Sequence, residues 1–374
     1  ANRIQVMVLT WSVDTQNVLG YHRYPKRFGF SGKKKAMNIT IRDVAKRLNL
    51  SITTVSRALD GYDDVAEGTR QLVVKTAQEM GYIPNQAARQ LRRQRTDTIG
   101  YILPTDKPRF SDPFFAEFTA GLGDEVSANG FDLLVSTAPP GSQVEQLAYQ
   151  KWVHGRRVDG IVLNRIHLND WRVQYLAQAQ FPFVSLERSL DSHSYAAIEI
   201  DGRYWFSVLI NHLVSLGHQR IAYIGATPSL VIQADRFLGY QDGLQFHGLA
   251  FDANLVAEGD LTSEGGYHAG KRLLALDSPP TAIVCVDDST AIGVLHAARD
   301  MGRTVGQDLA VAGFDGIEGF EHTQPPLTTI NLPVYRIARR LVQMLVSQVT
   351  GKPLPENQLQ IEPVLEIRQS TQGK

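Results

Sequence analysis

Residues 40–60 read Thr-Ile-Arg-Asp-Val-Ala-Lys-Arg-Leu-Asn-Leu-Ser-Ile-Thr-Thr-Val-Ser-Arg-Ala-Leu-Asp, and the local structure of the N-terminal part can be predicted from them. Thr40 and Asp43 have the spacing of a capping box, which marks a helix start. Asn49 stands where the chain must reverse, and asparagine tolerates the left-handed conformation better than most residues. Ser51 is placed to cap a second helix. The pattern predicts two short helices joined by a tight turn.

The second of these helices has two different faces. Val55 and Leu59 lie one turn apart and predict a buried contact. The other face carries small, polar or cationic groups, namely Ile52, Thr53, Thr54, Ser56 and Arg57. Such a face suits a recognition helix that enters the major groove of DNA. Two amphipathic helices around a turn also occur in helical proteins of other functions, so this stretch alone leaves both interpretations open.

A third helix and a basic segment follow. The pattern predicts a helix from Glu67 to Met80 that ends at Gly81. Its apolar positions are Leu72, Val73, Ala77 and Met80. Three short helices make a minimal helix-turn-helix domain. The next segment, residues 81–96, is rich in arginine and contains Leu91 as a lone apolar residue among the basic ones.

Three motifs occur in order along this part of the chain: Thr40-Ile-Arg-Asp-Val-Ala, Thr54-Val-Ser-Arg-Ala-Leu and Gly81-Tyr-x-Pro-Asn-x-x-Ala-Arg-x-Leu. On these motifs, residues 38–97 resemble the headpiece and hinge of the lactose-repressor (LacI/GalR) family. The resemblance implies that residues 37–83 form the DNA-binding domain and residues 84–97 form a hinge segment.

The resemblance also implies roles for individual residues on DNA. Ile52, Thr53 and Arg57 would face base edges, where arginine pairs with guanine through two hydrogen bonds. The other implied DNA contacts, several with donors suited to phosphate, are Thr40, Ser51, Thr54, Ser56, Asn85 and Ala88. Leu91 would wedge into a minor-groove step. This chain has Asp60 where family members often carry asparagine, and an acid beside phosphate is unfavourable.

The charge of the chain is unevenly distributed. Lysine plus arginine equals aspartate plus glutamate, 38 against 38. Residues 1–98 nevertheless hold 17 basic and 8 acidic residues, whereas the remainder holds 21 and 30. A basic end on an acidic body fits a module that meets phosphates attached to one that does not. A merely solvated basic surface would explain either half alone.

Cysteine content and hydropathy exclude several classes of protein. The single cysteine, Cys285, lies in an apolar run that predicts a buried strand, so neither a disulfide framework nor a cysteine metal cluster is possible. No run of apolar residues is long enough to cross a membrane, and residues 1–36 lack the apolar core of a secretory signal. We therefore expect a cytoplasmic protein without metal, cofactor or membrane contact.

Residues 1–36 show no clear periodicity and end in Gly32-Lys-Lys-Lys-Ala36, directly before Met37. Members of the resembled family generally begin near this methionine. We expect this leader to be disordered or to result from a start codon placed too early. A basic arm that adds phosphate contacts is the alternative.

After the hinge the pattern changes to alternating strands and helices. The predicted strands are 98–103, 131–136, 158–163, 183–186, 220–225, 281–286 and 309–314, and the predicted helices are 115–129, 143–154, 235–248, 265–275 and 290–301. Such alternation indicates parallel sheets covered by helices on both faces, and the restart of the rhythm at Arg220 indicates two doubly wound lobes. Ligands of such sheets lie outside the carboxyl ends of the strands, here in the cleft between the lobes. Residues 98–370 resemble the periplasmic-binding-protein-like effector domain of the family.

The resemblance implies six effector-binding residues: Phe115, Glu187, Arg188, Arg236, Asp287 and Asp315. Phe115 belongs to Asp112-Pro-Phe-Phe-Ala-Glu117, which is similar to the family's Asn-Pro-Phe-Phe element, and would offer a flat apolar platform. An aromatic ring with carboxylates and a guanidinium suits a sugar. Charged residues at strand ends are often simply solvated or paired, and this alternative applies most to Glu187, Arg188 and Asp287.

An enzyme is the first rival interpretation, but no nucleophile elbow, Walker loop, dinucleotide fingerprint or His-Glu-x-x-His motif occurs. A sugar-capture protein outside the cytoplasm is the second, and the attached DNA-binding module argues against it. We therefore expect a repressor of the lactose-repressor type that binds a palindromic operator as a homodimer and responds to a mono- or disaccharide. No leucine heptads follow residue 371, so a dimer is expected rather than a tetramer.

Overall fold

The computed structural model describes residues 39–83, 95–105, 112–190, 193–353 and 362–372. The chain divides into two compact units at residues 86 and 87. The leader expected at residues 1–36 and most of the expected hinge, residues 84–94, lie outside the described residues.

The described part of the first unit contains three helices: α1, Ile41–Leu48, α2, Ile52–Leu59, and α3, Glu67–Met80. Local signals set their ends. The Asp43 carboxylate accepts hydrogen bonds from the backbone N–H of Thr40 at 2.8 Å and from its hydroxyl at 2.7 Å. Asn49 has φ 53°, in the left-handed region, and ends α1. Ser51 Oγ accepts a hydrogen bond from Thr54 N at 2.9 Å and begins α2. The predicted caps are therefore confirmed.

The core of this unit lies between the three helices. Its buried members are Val44, Ala45, Val55, Ala58, Val65, Val73 and Ala77. Leu59 and Met80 are only partly buried and pack against this core. Leu72, part of the predicted apolar pattern of α3, is 52% exposed. The buried face of α3 is therefore narrower than its sequence indicates, because two short helices cannot cover a wide stripe.

The second unit alternates strands and helices. Its elements are β1, Thr98–Pro104, α4, Pro113–Ala128, β2, Asp132–Ala138, α5, Gln143–His154, β3, Gly160–Leu163, α6, Trp171–Gln178, β4, Phe183–Leu186, β5, Ala196–Ile198, α7, Gly202–Ser215, β6, Ile221–Gly225, α8, Val231–Phe246, β7, Val256–Glu258, α9, Ser263–Leu274, β8, Ala282–Cys285, α10, Asp288–Asp300, β9, Ala310–Asp315, β10, Thr328–Asn331, α11, Val334–Thr350, and β11, Val364–Glu366. Two short 3₁₀ helices are found at Ala253–Leu255 and Phe320–His322.

These strands form two sheets, one for each lobe. The first sheet has the order β2-β1-β3-β4-β5, and its paired strands are all parallel. The second has the order β11-β10-β9-β8-β6-β7; among the described strands of this sheet, β11 alone is antiparallel to its neighbour. The predicted architecture of two doubly wound lobes is confirmed.

The chain passes between the lobes more than once. After β10 in the second sheet, α11 returns to the first lobe and packs against α4 and β3. The two helices approach closely at Gly121, where a Cβ atom would lie 2.5 Å from the carbonyl oxygen of Tyr335. Arg339 on α11 also contacts the Glu125 carboxylate of α4 at 2.7 Å. The restart of the strand–helix pattern at Arg220 suggests that each lobe is one continuous segment of the chain. The structure shows instead that the first lobe also includes α11, from the C-terminal part of the chain.

Helix α8 shows where a local prediction was wrong. It begins at Val231, four residues before the predicted start near Asp235, and its N-cap residue, Leu230, has no capping side chain. Contacts with the other lobe hold this end instead. Val231 N donates to the Ile166 carbonyl at 2.9 Å, and Leu230 forms an antiparallel bridge with His167. A helix start that depends on such tertiary contacts leaves no capping residue in the sequence.

Candidate DNA-reading surface and effector cleft

The face of α2 that points away from the headpiece core carries the residues predicted to read DNA. Ile52 is 46% exposed, although it is a large apolar residue, and Thr53 is also exposed. Arg57 lies one turn beyond Thr53 on the same helix. An apolar side chain, a hydroxyl and a guanidinium can together discriminate base edges in the major groove.

Three residues predicted to contact DNA have hydroxyls that are already engaged. The Thr40 hydroxyl donates to Asp43, and the hydroxyls of Ser51 and Thr54 share a hydrogen bond of 2.8 Å. These bonds hold the N-termini of α1 and α2, where backbone N–H groups favour an anion. The predicted contacts of Asn85, Ala88 and Leu91 lie outside the described residues.

The Arg57 guanidinium has two partners that the sequence analysis missed. Its Nε donates to Asp64 Oδ1 at 3.1 Å, and its Nη2 lies 2.5 Å from Asp64 Oδ2. The guanidinium carbon lies 4.6 Å from the centre of the Tyr62 ring. Both partners belong to the turn after α2, whose conformation has no periodic pattern from which these contacts could be predicted.

Two adjoining cavities lie between the lobes, at the carboxyl ends of the strands. The larger has a volume of about 600 Å³, and residues that line it include Asp112, Phe115, Arg165, His167, Leu230 and Asp260. The smaller has a volume of about 40 Å³, and residues that line it include Asn164, Glu187, Arg236, Asp287 and Asp315. Arg165 borders both. The structure therefore brings together five of the six predicted effector residues.

Arg236 and Asp315 form a buried pair in the smaller cavity. Arg236 Nη2 lies 3.4 Å from Asp315 Oδ1, and Nη1 donates to the Val286 carbonyl. The guanidinium also stacks on Phe314, with its carbon 3.8 Å from the ring centre. Burial raises the pKa of the Asp315 carboxyl well above its ordinary value, although Arg236 opposes this shift. The pair leaves oxygen and N–H positions that a ligand rich in hydroxyls can use.

A neighbouring acid holds the turn that presents Asp315. Asp288 accepts hydrogen bonds from Gly316 N at 2.8 Å, Ile317 N at 3.0 Å and the Thr329 hydroxyl at 2.6 Å. Burial raises the pKa of Asp288 to about 6, and these hydrogen bonds limit the rise. Asp287, the residue before it, caps α10 by accepting from Thr290 N at 2.8 Å. Asp287 therefore has a structural task besides its predicted contact with the effector.

Several non-glycine residues of the cleft have a positive φ. Arg165, Glu187 and Asp315 have φ values of 51°, 70° and 119°, a region that side chains other than glycine rarely adopt. Residues held in such conformations cluster at ligand-binding sites, because the surrounding structure must stabilise them. Similar φ values at ordinary turns, such as 45° at Arg156 and 50° at Gln180, show that positive φ alone does not identify a site; Asp315, at 119°, departs furthest from them.

Phe115 lines the larger cavity, as predicted, but one of its faces is covered. The Arg165 guanidinium carbon lies 5.0 Å from the ring centre, and Arg165 Nη2 lies 3.0 Å from Asp112 Oδ2. The predicted apolar platform is thus a stacked phenylalanine–arginine pair, with the guanidinium oriented by a carboxylate.

Arg188 borders neither of the two cavities. Its Nε donates to Glu199 at 2.7 Å, its Nη1 donates to the Tyr195 carbonyl at 2.8 Å, and it stacks on the Tyr195 ring. The surroundings of Arg188 therefore fit the alternative given above, in which it is a paired charge at the end of a strand.

Asn164 and Arg165 were missed by the sequence analysis. Asn164 Nδ2 donates to the Tyr101 hydroxyl at 2.7 Å, whereas its buried Oδ1 has no hydrogen-bond partner among the described residues. A buried acceptor without a partner is costly unless a ligand or water satisfies it. Both residues directly follow β3, so the rule that ligands bind at the carboxyl ends of parallel strands could have identified them.

Glu187 should make the stability of the second unit depend on pH. Burial raises the pKa of its carboxyl from the ordinary 4.5 to about 8, with Arg236 opposing the shift. The folded protein then binds more protons than the unfolded chain between these values. The stabilising effect is complete below the unfolded pKa and is lost as the pH rises through the folded pKa.

We expect the thermal unfolding midpoint of the unchanged protein to fall, relative to that of Glu187→Gln, as the pH rises from about 5 to about 8. If the folded protein binds one extra proton, the free energy of unfolding falls by at most about 1.4 kcal/mol per pH unit. The measurement is calorimetry of both proteins across this range. Glu258→Gln, the same change at an exposed position, should leave the slope unaltered. Parallel pH profiles of the unchanged protein and Glu187→Gln would contradict the expectation.

Two classes of site are not found in the described part of the chain. Its His, Cys, Asp and Glu side chains form no group of three or more that could hold a metal ion. None of its helices is long and apolar enough to cross a membrane.

Comparison with known proteins places both units in one family. Residues 40–85 match the family described as bacterial regulatory proteins, lacI family, and residues 210–371 match the periplasmic binding protein-like domain. The HTH-type transcriptional regulator CelR of Thermobifida fusca is 32% identical over 334 residues, covering 88% of this chain and 98% of CelR. The chain belongs to the LacI family.

Other members of the LacI family agree with this assignment. Catabolite control protein A of Priestia megaterium is 31% identical over 90% of this chain and 100% of its own length. The lac repressor dimer bound to operator and an anti-inducer has a TM-score of 0.74 at 28% identity, covering 89% of this chain and 99% of that one. The CelR–cellobiose complex has a TM-score of 0.67 at 30% identity, with the same coverage.

These similarities establish the general function. The protein is a DNA-binding transcriptional regulator of the LacI family, with a helix-turn-helix headpiece and a two-lobed periplasmic-binding-protein-like domain. A solute-capture protein is not favoured, because the headpiece motifs belong to the regulatory proteins.

Proposed function

We propose that this LacI-family regulator is a repressor whose operator affinity is controlled by a sugar bound between the two lobes. The observation that carries the proposal is the cleft itself. It joins a cavity of about 600 Å³ to an inner cluster of carboxylates around Arg236, in the same chain as an exposed recognition helix.

On DNA, Ile52, Thr53 and Arg57 read base edges. Phosphates are contacted by Thr40, Thr54, Ser56 and Asn85, Ser51 and Ala88 belong to the same DNA-facing surface, and Leu91 enters the minor groove. One recognition helix of eight residues spans only a half-site. The protein therefore binds a palindromic operator as a homodimer, because a two-fold protein matches a two-fold site. The lac repressor dimer on its operator supports this arrangement.

In the cleft, the effector is an uncharged mono- or disaccharide. Phe115, Glu187, Arg236, Asp287 and Asp315 supply the apolar face and the hydroxyl partners, and Asn164 adds a free acceptor. The three guanidinium groups that line the two cavities are already paired: Arg165 with Asp112, Arg172 with Asp170 and Arg236 with Asp315. A phosphate or carboxylate on the ligand would have to displace one of these acids. The cellobiose complex of CelR supports a disaccharide.

Strand β3 provides a connection between the cleft and the hinge. Its carboxyl end leads into Asn164 and Arg165. At its other end, Asp159 accepts hydrogen bonds from Thr96 N at 2.8 Å, the Thr96 hydroxyl at 3.0 Å and Asp97 N at 2.7 Å. An effector that binds one arrangement of the lobes better than the other shifts the population of states, and β3 carries this shift to the last residues of the hinge.

The proposal includes no catalytic step and places the protein in the cytoplasm, where its operator is. The sugar acts as a signal, and it is released from the cleft chemically unchanged. Turnover of any ligand that binds in the cleft would contradict this part of the proposal.

The test uses the full-length protein and an operator selected by that protein from a pool of random duplexes. Fluorescence anisotropy then measures binding to the labelled operator in the presence of each of a panel of mono- and disaccharides. We expect one sugar to weaken operator binding at least tenfold, while a scrambled duplex remains weakly bound throughout. The tenfold change corresponds to about 1.4 kcal/mol of coupling, within the usual range for allosteric proteins.

The other outcomes each remove one part of the proposal. Tight operator binding that no sugar alters would retain the DNA-binding role and discard the effector class. A sugar that strengthens operator binding would make the protein a corepressor-dependent regulator. Failure to select any duplex would contradict sequence-specific binding.

A further inference from the structure

The turn between α2 and α3 places an acid and an aromatic ring against the Arg57 side chain. Asp64 contacts the guanidinium through both of its carboxylate oxygens, at 3.1 Å to Nε and 2.5 Å to Nη2. The guanidinium carbon lies over the Tyr62 ring, 4.6 Å from the ring centre. Arg57 is thus held along one edge and on one face, although its side chain is 42% exposed.

The donors of the guanidinium show what this arrangement permits. Arginine has five N–H donors on one planar group. Asp64 uses Nε–H and one Nη2–H, which together form one edge of the plane. Nη1 and the second Nη2–H remain available at the end of the side chain. Two parallel donors in this position match the O6 and N7 acceptors of guanine. Asp64 therefore does not compete for the donors that read the base.

An acid at this position is otherwise unfavourable for a DNA-binding protein. Asp60, Asp63 and Asp64 all lie in or next to this turn, and each carboxylate repels nearby phosphates. An exposed ion pair also adds little to folding stability. The contact is better explained by its effect on Arg57, because a long side chain that is already ordered loses less conformational entropy when it binds.

We propose that Asp64 and Tyr62 form a clamp that orients Arg57 for guanine, which makes Asp64 a positioning residue for operator specificity. This inference rests on the proposed base contact of Arg57. The clamp fixes the orientation of the guanidinium plane and the distance to which its end extends, so that guanine is favoured over the other bases. Without it, Arg57 still attracts DNA through its charge but reaches neighbouring bases and phosphates as well.

The test measures discrimination rather than affinity alone. Full-length variants are titrated against the selected operator and against operators with each base pair of one half-site replaced in turn. The Arg57→Ala protein first identifies the base pair read by Arg57. At that base pair, we expect Asp64→Ala to lower the preference for guanine about 5- to 10-fold, part of the discrimination that one bidentate contact supplies. Preferences at the other base pairs should be unchanged.

Two further variants separate positioning from charge. Asp64→Asn removes the charge but retains an oxygen that can accept from the guanidinium, so it should keep more of the preference than Asp64→Ala. Asp63→Ala removes a carboxylate from the exposed neighbouring position and should leave the preference intact. Thermal melting of each variant shows whether the headpiece is folded. If the Asp64→Ala headpiece is unfolded, the comparison is made with Asp64→Asn alone.

The clamp would be contradicted if loss of either acid increased the affinity for every duplex equally. If Asp63→Ala and Asp64→Ala strengthen binding to every duplex by the same factor, with the guanine preference unchanged, Asp64 acts only by repelling phosphates. If instead Arg57→Ala weakens all duplexes equally, the proposed base contact itself fails. Loss of the preference in Arg57→Ala but not in either Asp64 variant would reject the clamp alone.

Discussion

Replacing Asp315 by asparagine is expected to abolish the response to the effector while operator binding persists. The side chain is buried, contacts Arg236 at 3.4 Å and borders the inner cavity. Asparagine leaves the Arg236 guanidinium without a carboxylate partner and replaces one acceptor oxygen by an NH2 donor, so that ligand hydroxyls lose a charged acceptor. A hydrogen bond to a charged group contributes about 1.5–3 kcal/mol, so the loss of effector affinity should be about 10-fold or more.

Asparagine is the appropriate replacement, because Asp315 has φ 119° and asparagine tolerates positive φ better than alanine. Calorimetric titration with the identified sugar would measure the effector affinity, and anisotropy would measure operator affinity without sugar. Asp277→Asn, the same change at an exposed position before β8, is the matched control and should alter neither quantity. If Asp315→Asn also destroys operator binding, the residue has a structural role instead.

The second large effect is expected from Arg57→Ala, which should weaken binding to the selected operator by about 1–3 kcal/mol, or roughly 5- to 150-fold. The loss should be concentrated at one base pair, because a base contact supplies discrimination whereas a phosphate contact supplies only affinity. The measurement is anisotropy with operators altered at single positions. Effector affinity should be unchanged, since the cleft lies in the other unit.

Arg57→Lys provides the control for charge. Lysine keeps the positive charge but lacks the planar fork that binds two acceptors. If it restores neither affinity nor discrimination, the fork is what matters. A uniform loss in Arg57→Ala that Arg57→Lys repairs would reassign the residue to a phosphate contact.

The effector cleft illustrates how far a chain can be interpreted residue by residue. Phe115, Glu187, Arg236, Asp287 and Asp315 were named on the family resemblance, and the structure gathers all five around two adjoining cavities. Arg188 was named on the same grounds, but its pairing with Glu199 depends on a residue eleven positions away. Asn164 and Arg165 were passed over because no charge pattern distinguishes the end of one buried strand from another.

The headpiece also contains both kinds of contact, those that local spacing predicts and those that it does not. The capping interactions of Asp43 with Thr40 and of Ser51 with Thr54 join residues three positions apart, so the spacing of residue types predicts them. The contact between Arg57 and Asp64 spans seven residues and the end of a helix. Its existence depends on the path of a turn, for which the chain carries no repeating signal.

By itself, the sequence determined the helix-turn-helix, the two runs of strands and helices, and the family, because caps, apolar periods and motifs act over a few neighbouring residues. Other features depend on long-range packing: α11 packs in the first lobe, α8 begins at Val231, and Arg165 and Arg236 of the cleft each have their own acidic partner. Arg236 and Asp315, for example, are separated by 79 residues. Contacts of this kind depend on how whole elements pack against each other, and no local pattern encodes that packing.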